Sequence, residues 1–202
     1  MWAYNIGVQV PITEAERKNN ATEFYNYFKA YGCTDECICG MLGNIQQESG
    51  LNPGNKHGAS ISTAWGLIQW YPSTILTNWC RSRNYVWYDG AIQCYVIECE
   101  GEEKEDCGGR FLGTSQFPYS WTQFTQLTDV DIATDAYLFE RERPYSYSQI
   151  SSHQDDYDKR HDYAWEWYNY FSDDPPPPTP PTPPIPFKRK FPIIFMIPHY
   201  TH

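Results

Sequence analysis

Apolar residues recur at helical spacing through most of the first 171 positions, and caps and glycines punctuate them. Thr13 followed by Glu16 fits a capping box, and a helix running to Lys29 puts Phe24, Tyr27 and Phe28 on one face. Gly32 stops it. Asp35 is placed to cap a second helix in which Ile38, Met41, Leu42 and Ile45 form the apolar stripe, with Gly50 as its terminator. Residues 52–63 are rich in Gly, Asn and Ser and read as a loop or hairpin turn. Residues 64–70 suit a short strand or an extended segment entering another helix. Residues 91–99, 131–141 and 158–171 each carry a helical pattern. The predicted fold is mainly α (α+β): a helical domain with one small β-hairpin element near residues 55–70 and no internal repeat.

Composition sharpens the boundaries. Asp173-Asp174 is followed by PPPPTPPTPPIP, an extended and semi-rigid polyproline spacer. The expected organisation is an N-terminal lead (1–11), a globular domain (12–172), a Pro-rich linker (173–186) and a basic, then apolar, C-terminal peptide (187–202). That peptide reads as a docking segment for a larger assembly, a surface anchor, or an unstructured tail. Its apolar run from Phe191 to Ile197 falls far short of the ~18 residues a membrane span needs. The start, MWAYNIGVQV, lacks a basic region followed by a continuous apolar one, so no secretory signal is expected and delivery to a cell exterior would depend on something else.

Charge excludes one class of partner. The net charge is -10, and residues 1–174 hold 12 basic against 25 acidic residues. Phosphate binding rests on Lys and Arg, so nucleic acid is not an expected partner. An anionic polymer would not be attracted to this surface either, so binding to one must come from a shaped groove or from tethering. The seven cysteines (33, 37, 39, 80, 94, 99 and 107) suit structural disulfides or buried thiols. The C-x3-C-x-C run at 33–39 lacks a second pair to complete a zinc set, so no metal and no cofactor are expected.

Chemistry gathers at Glu48. It lies three residues after Ile45 and seven after Met41, on the apolar face of the second helix and in its last turn. Burial disfavours a charged carboxylate there, and the negative end of the helix dipole opposes it further. Both favour the carboxylic acid that protonation of a glycosidic oxygen requires. On position alone, a glutamate that only hydrogen-bonds the helix end explains the residue equally well. The neighbouring motifs change that balance. E-S-G-L-N-P at 48–53 followed by A-W-G-L-I-Q-W at 64–70 resembles the lysozyme-like superfamily, which includes goose-type lysozymes and soluble lytic transglycosylases. The wider string, GMLGNIQQESGLNP and then GLIQW, is most similar to the phage tail lysozyme family, with Ile68 where Met is usual. QCYVIE (93–98), AYLFERERP (136–144) and the closing helix with Arg160, Ala164, Tyr168 and Phe171 extend the similarity over roughly 20–171.

The resemblance implies a lysozyme-like domain acting on the peptidoglycan glycan strand. It makes Glu48 the general acid and then the base, and gives Ser49 the task of fixing its geometry. Gln69 and the backbone of Gly66, Leu67 and Ile68 would hydrogen-bond N-acetyl groups. Trp65, Trp70 and Tyr71 are candidates to stack on sugar rings, against ordinary packing as the plain alternative. Thr63 is a candidate to position a nucleophilic water, with a capping hydroxyl as its plainer role; His57 is weighed likewise against simple exposure.

A second carboxylate is harder to find. No Asp or Glu lies between Ser49 and Trp70, although glycosidases generally use two carboxyl groups. Asp89, Asp129 and Asp131 are the alternatives, each also readable as a helix cap. The expected activity is hydrolysis of the β-1,4 bond between N-acetylmuramic acid and N-acetylglucosamine, by an N-acetylmuramidase carried in a phage tail or released from the host cytoplasm at lysis. Its partners would be the glycan strand and, through the C-terminal peptide, other tail proteins. The alternatives are a lytic transglycosylase leaving anhydro-muramyl ends, and a non-catalytic glycan-binding or virion structural module. A Cys–His dyad from Cys39 with His57 or His153 is the remaining enzyme reading, and a core thiol is its plainer explanation.

Overall fold

The computed structural model of the chain describes residues 1–104, 107, 111–143 and 146–173. The Pro-rich linker after Asp173 and the C-terminal peptide lie outside the described residues. The expected mainly helical α+β architecture is what forms. Helices α1 (Glu14–Tyr31), α2 (Asp35–Ser49), α3 (Thr74–Ser82), α4 (Gly90–Gly101), α5 (Trp121–Phe124), α6 (Val130–Tyr137) and α7 (Gln154–Asp173) surround one core. Two short strands, β1 (Gly7–Val8) and β2 (Asn55–Lys56), pair in parallel.

Helix α1 opens on the expected Thr13–Glu16 capping box and closes on Gly32, whose left-handed φ of 105° a side chain would resist. The cap of α2 is one residue earlier than expected. Thr34 supplies it, accepting from the Cys37 N–H, and leaves the Asp35 carboxylate to accept from Tyr25 and Lys29.

Helix α2 is the buried axis of the fold. Ile38, Met41, Leu42 and Ile45 are fully buried, as their spacing predicts. What the apolar pattern does not show is that α2 is covered on further sides, by α6 at Gly40 and by α7 at Gly43. A Cβ on Gly43 would stand 2.4 Å from the Arg160 carbonyl oxygen, and one on Gly40 2.7 Å from the Thr134 nitrogen. The helices meet there because neither residue has a side chain. Asn44 seals the contact, donating to the carbonyls of Gly40 (2.9 Å) and Thr134 (3.0 Å).

Three expectations change. The hairpin near 55–70 persists as isolated antiparallel bridges, Lys56–Trp65 and Trp65–Trp70, while the sheet itself pairs β2 with the N-terminus. Residues 1–11, expected as a lead, lie against the domain: Asn20 exchanges hydrogen bonds with both backbone groups of Ala3, and Asn52 does so with Asn5. The helix expected over 131–141 leaves α geometry at Leu138 and finishes in a π turn, Leu138–Glu142, closed by Arg143 N–H to the Leu138 carbonyl (2.7 Å). A π turn carries one extra residue and rotates the side chains that follow.

Six of the seven cysteines are buried. Burial pushes the Cys37, Cys39 and Cys94 thiols well up and the Cys80 thiol to about 12. They pack as small apolar groups. Among the described residues, no group of three His, Cys, Asp or Glu is placed to hold a metal, and no helix is long and apolar enough to cross a membrane.

Candidate active site

Gly50 ends α2 in the left-handed conformation (φ 62°), and Leu51 repeats it (φ 61°), so the chain turns away and leaves the last helical turn facing open space. That space is a cleft of about 640 Å³. Glu48 lines it, together with Thr63, Ala64, Ile68, Gln69, Trp70 and Tyr71, His57 and Ile75, and Arg141 and Glu142. The two motifs that carried the resemblance therefore line one cleft.

The wall is built by a tight turn. Gly66 has φ 89°, and Gln69 is held at φ 49°, where a non-glycine residue costs about 1–3 kcal/mol. Such strain persists only where the surroundings impose it. Leu67 N–H donates to Gln93 Oε1 (2.7 Å), and Gln93 in turn donates to the carbonyls of Pro53 and Trp87, which pins the turn onto α4. The Gln69 amide donates to the Gly66 carbonyl (2.8 Å), which ties the side chain back onto the turn.

The sequence-predicted residues divide. Glu48, Thr63, Gln69, Trp70 and Tyr71 line the cleft. Tyr71 stands at the rim with 72% of its surface exposed, while Trp70 is buried and donates from Nε1 to Glu100 (2.8 Å). Ser49 is buried, its hydroxyl given to the Ile45 carbonyl (3.1 Å). Leu67 is fully buried, and Gly66 supplies the turn and its carbonyl. Trp65 lies in a separate groove with Ile61 and Trp87, under the Lys56 ammonium at 4.1 Å from the ring centre. The Thr63 hydroxyl engages the Gly58 and Ser60 carbonyls, as a loop-capping group does. Cys39 is in the core and does not reach the cleft that His57 lines.

Glu48 is not set among apolar groups. Arg160, on α7 and almost wholly buried, donates from Nη2 to Glu48 Oε1 at 2.6 Å. The same guanidinium reaches Asp156 (3.0 Å) and Asn44 (3.1 Å). The α2 sequence carries no sign of this partner, which arrives from more than a hundred residues away.

The second carboxyl group in the cleft is Glu142, at the end of the π turn. Its Oε1 is buried without a hydrogen-bond partner. Burial first, and then the Glu48 carboxylate, push the Glu142 carboxyl well above the usual range, against the pull of Arg141 and Arg160. Arg141 beside it is turned to Glu100, donating from Nε (3.1 Å) and Nη2 (2.5 Å), and Glu100 also accepts from Trp70. This chain of bonds fastens the π turn to the GLIQW wall. The candidates named from sequence are engaged elsewhere: Asp89 and Asp129 cap α4 and α6, and Asp131 binds His161 and Trp165. Glu142 lay within AYLFERERP, but helical extrapolation from α6 does not predict its direction across a π turn.

The model of the family described as phage tail lysozyme matches residues 19–171. Among curated proteins, morphogenesis protein 1 of Bacillus phage B103 is 46% identical over 63 residues, 30% of this chain. That alignment covers 17% of the relative's own length.

Proposed function

The chain belongs to the phage tail lysozyme family, and from that premise we propose that it hydrolyses the β-1,4 bond between N-acetylmuramic acid and N-acetylglucosamine in bacterial cell wall. The observation that carries the reading is the placement of Glu48 at the end of a buried helix, opening on a cleft walled by Gln69, Trp70 and Tyr71. Glu48 donates its proton to the glycosidic oxygen and recovers one from the attacking water. Tyr71 offers a flat exposed ring at the rim for a pyranose face. Ile68 and Gln69 line the cleft where the N-acetyl groups would lie, while Gly66 and Leu67 are committed to holding the turn. Trp65 is left out of this assignment, since it lines the other groove. With a chain charge of -10, attraction to an anionic wall is not available, and affinity rests on the shape of the cleft. A place in the virion, at the tail, with residues 187–202 meeting other tail proteins, goes with this reading.

The competing chemistry is transglycosylation, in which the 6-hydroxyl of the substrate attacks and no second carboxyl is required. The absence of acids between Ser49 and Trp70 favours it. A second carboxyl in the cleft, Glu142, favours hydrolysis. Zymography on peptidoglycan, with wild type beside Glu48→Gln, tests the assignment. Wild type is expected to clear the gel and the variant to lose about 10²–10⁴-fold activity. Equal clearing removes Glu48 from the reaction, and no clearing by either leaves a binding or structural module. Mass spectrometry of the released sugars then separates the chemistries: reducing ends are expected, and anhydro-muramyl ends would establish transglycosylation.

A further inference from the structure

We propose that the aromatic groove containing Trp65 is a second glycan site, which takes a carboxylate-bearing muramyl residue of the strand outside the cleft. This rests on the reading of the glycan strand as substrate. The groove encloses about 570 Å³, within the ~300–1,000 Å³ usual for small-ligand sites. Trp65, Tyr85, Trp87 and Tyr88 supply its rings, and the exposed Arg81 and Asn84 bring hydrogen-bond donors. One loop borders both cavities. Ile61 and Trp65 line the groove, while Thr63 and Ala64 between them line the cleft.

Charge selects the ligand. Residues 1–174 hold 25 acidic against 12 basic residues, yet no Asp or Glu lines this groove. The Lys56 ammonium sits 4.1 Å from the Trp65 ring centre and 5.5 Å from that of Trp87, which places a positive charge beside the rings. Arg17, Arg141 and Arg160 are paired with carboxylates, whereas Lys56 and Arg81 have no ion-pair partner among the described residues. Two cations without acids, beside flat rings, suit a sugar that carries an acid. The pyranose face stacks on an aromatic ring, and the lactyl carboxylate of a muramyl residue without its peptide accepts from the Arg81 fork. A protein partner fits less well. A stable protein interface buries about 800 Å² on each side, and these rings are recessed, with Trp65 only 7% exposed. Salt screens such attraction beyond about 10 Å, so the groove acts on a strand already in the cleft. A second contact on one polymer then keeps the next bond at high effective concentration.

Nitrogen-15 NMR of the full chain carrying Glu48→Gln, which binds strands without cutting them, reads both sites at once. The Trp87 indole N–H reports the groove, and the Gln69 side-chain amide reports the cleft. Stem-free glycan strands, with their lactyl carboxylates exposed, are expected to shift both signals. The same strands with those carboxyls reduced to alcohols are expected to shift Gln69 as before, and Trp87 only at about tenfold higher concentration. Adding Arg81→Gln is expected to weaken the Trp87 response to the acidic strands by a similar factor. A Trp87 signal that stays still, or that answers equally to the reduced strands, overturns the proposal. So does a Trp87 shift untouched by Arg81→Gln, because Gln93 bonds both the Trp87 carbonyl and the Leu67 N–H and could relay binding from the cleft. Movement of Trp87 without Gln69 overturns the reading of the cleft instead, and movement of neither overturns both.

Discussion

One guanidinium organises the acid end of the cleft. Arg160 spends its donors on Glu48, Asp156 and Asn44, and Asp156 is further tied to Gln47 (2.7 Å) on α2. The planar fork matters, because a lysine in its place could not address three acceptors at fixed angles. Replacing Arg160 by Met keeps the apolar stem and leaves two carboxylates facing each other without their cation. The expected cost is about 3 kcal/mol, the low end for breaking a buried pair, since Glu48 and Asp156 still reach solvent. Urea denaturation of wild type and Arg160→Met at neutral pH measures it, and a loss below about 1 kcal/mol would mean that the pair is solvated. Glu48 itself was legible from the sequence, because its spacing from Ile45 and Met41 sets the face on which it stands. Arg160 was visible only as part of a family pattern, with nothing local to say that its charge returns to α2.

At the scale of elements, α6 and α7 are joined by a histidine held between two acids. His161 Nδ1 lies 2.9 Å from Asp131 and Nε2 3.0 Å from Asp135, with Trp165 and Tyr157 bonded to the same carboxylates. Burial opposes a charged imidazole here, but the hydrogen bonds to Asp135 and Asp131 outweigh it and hold the His161 pKa above its ordinary value. The Asp131 carboxyl is held low in return, its bonds to His161 and Trp165 outweighing burial. A raised histidine contributes stability that is complete below its unfolded value of about 6.5 and fades as pH rises through the folded one. A depressed aspartate contributes above its unfolded value of about 3.9 and fades as pH falls. The clamp is therefore strongest between about pH 4 and 6.5. Chemical denaturation at pH 6 and pH 9 is expected to show a larger loss of stability for wild type than for His161→Asn. Parallel losses in the two proteins would show that the imidazole is not charged in the fold.

For the whole molecule, the N-terminal residues are part of the cleft's support. Strand β1 pairs with β2 just ahead of the GLIQW wall, and the Ala3 and Asn5 backbones satisfy the buried Asn20 and Asn52 side chains. Removing residues 1–11 strands those amides, at about 1–3 kcal/mol each. A lowered thermal midpoint is expected, together with weaker activity, because Asn55 also accepts from the Gly66 N–H. An unchanged midpoint would mean that water replaces the lead without cost. Legible in the chain alone are the helices α1, α2, α4 and α7, the caps at Thr13 and Gly32, the buried stripe of α2 and the two motifs that line the cleft. These are local properties, written in spacing of three and four residues or in contiguous strings. Which groups share the cleft with Glu48 depends on tertiary packing. Arg160 comes from α7 and Glu142 from a π turn at the end of α6, and Asp89, Asp129 and Asp131 are drawn off to caps and to His161. Charge partners separated by about a hundred residues leave no periodic trace, and a π turn breaks the rotation on which helical extrapolation depends.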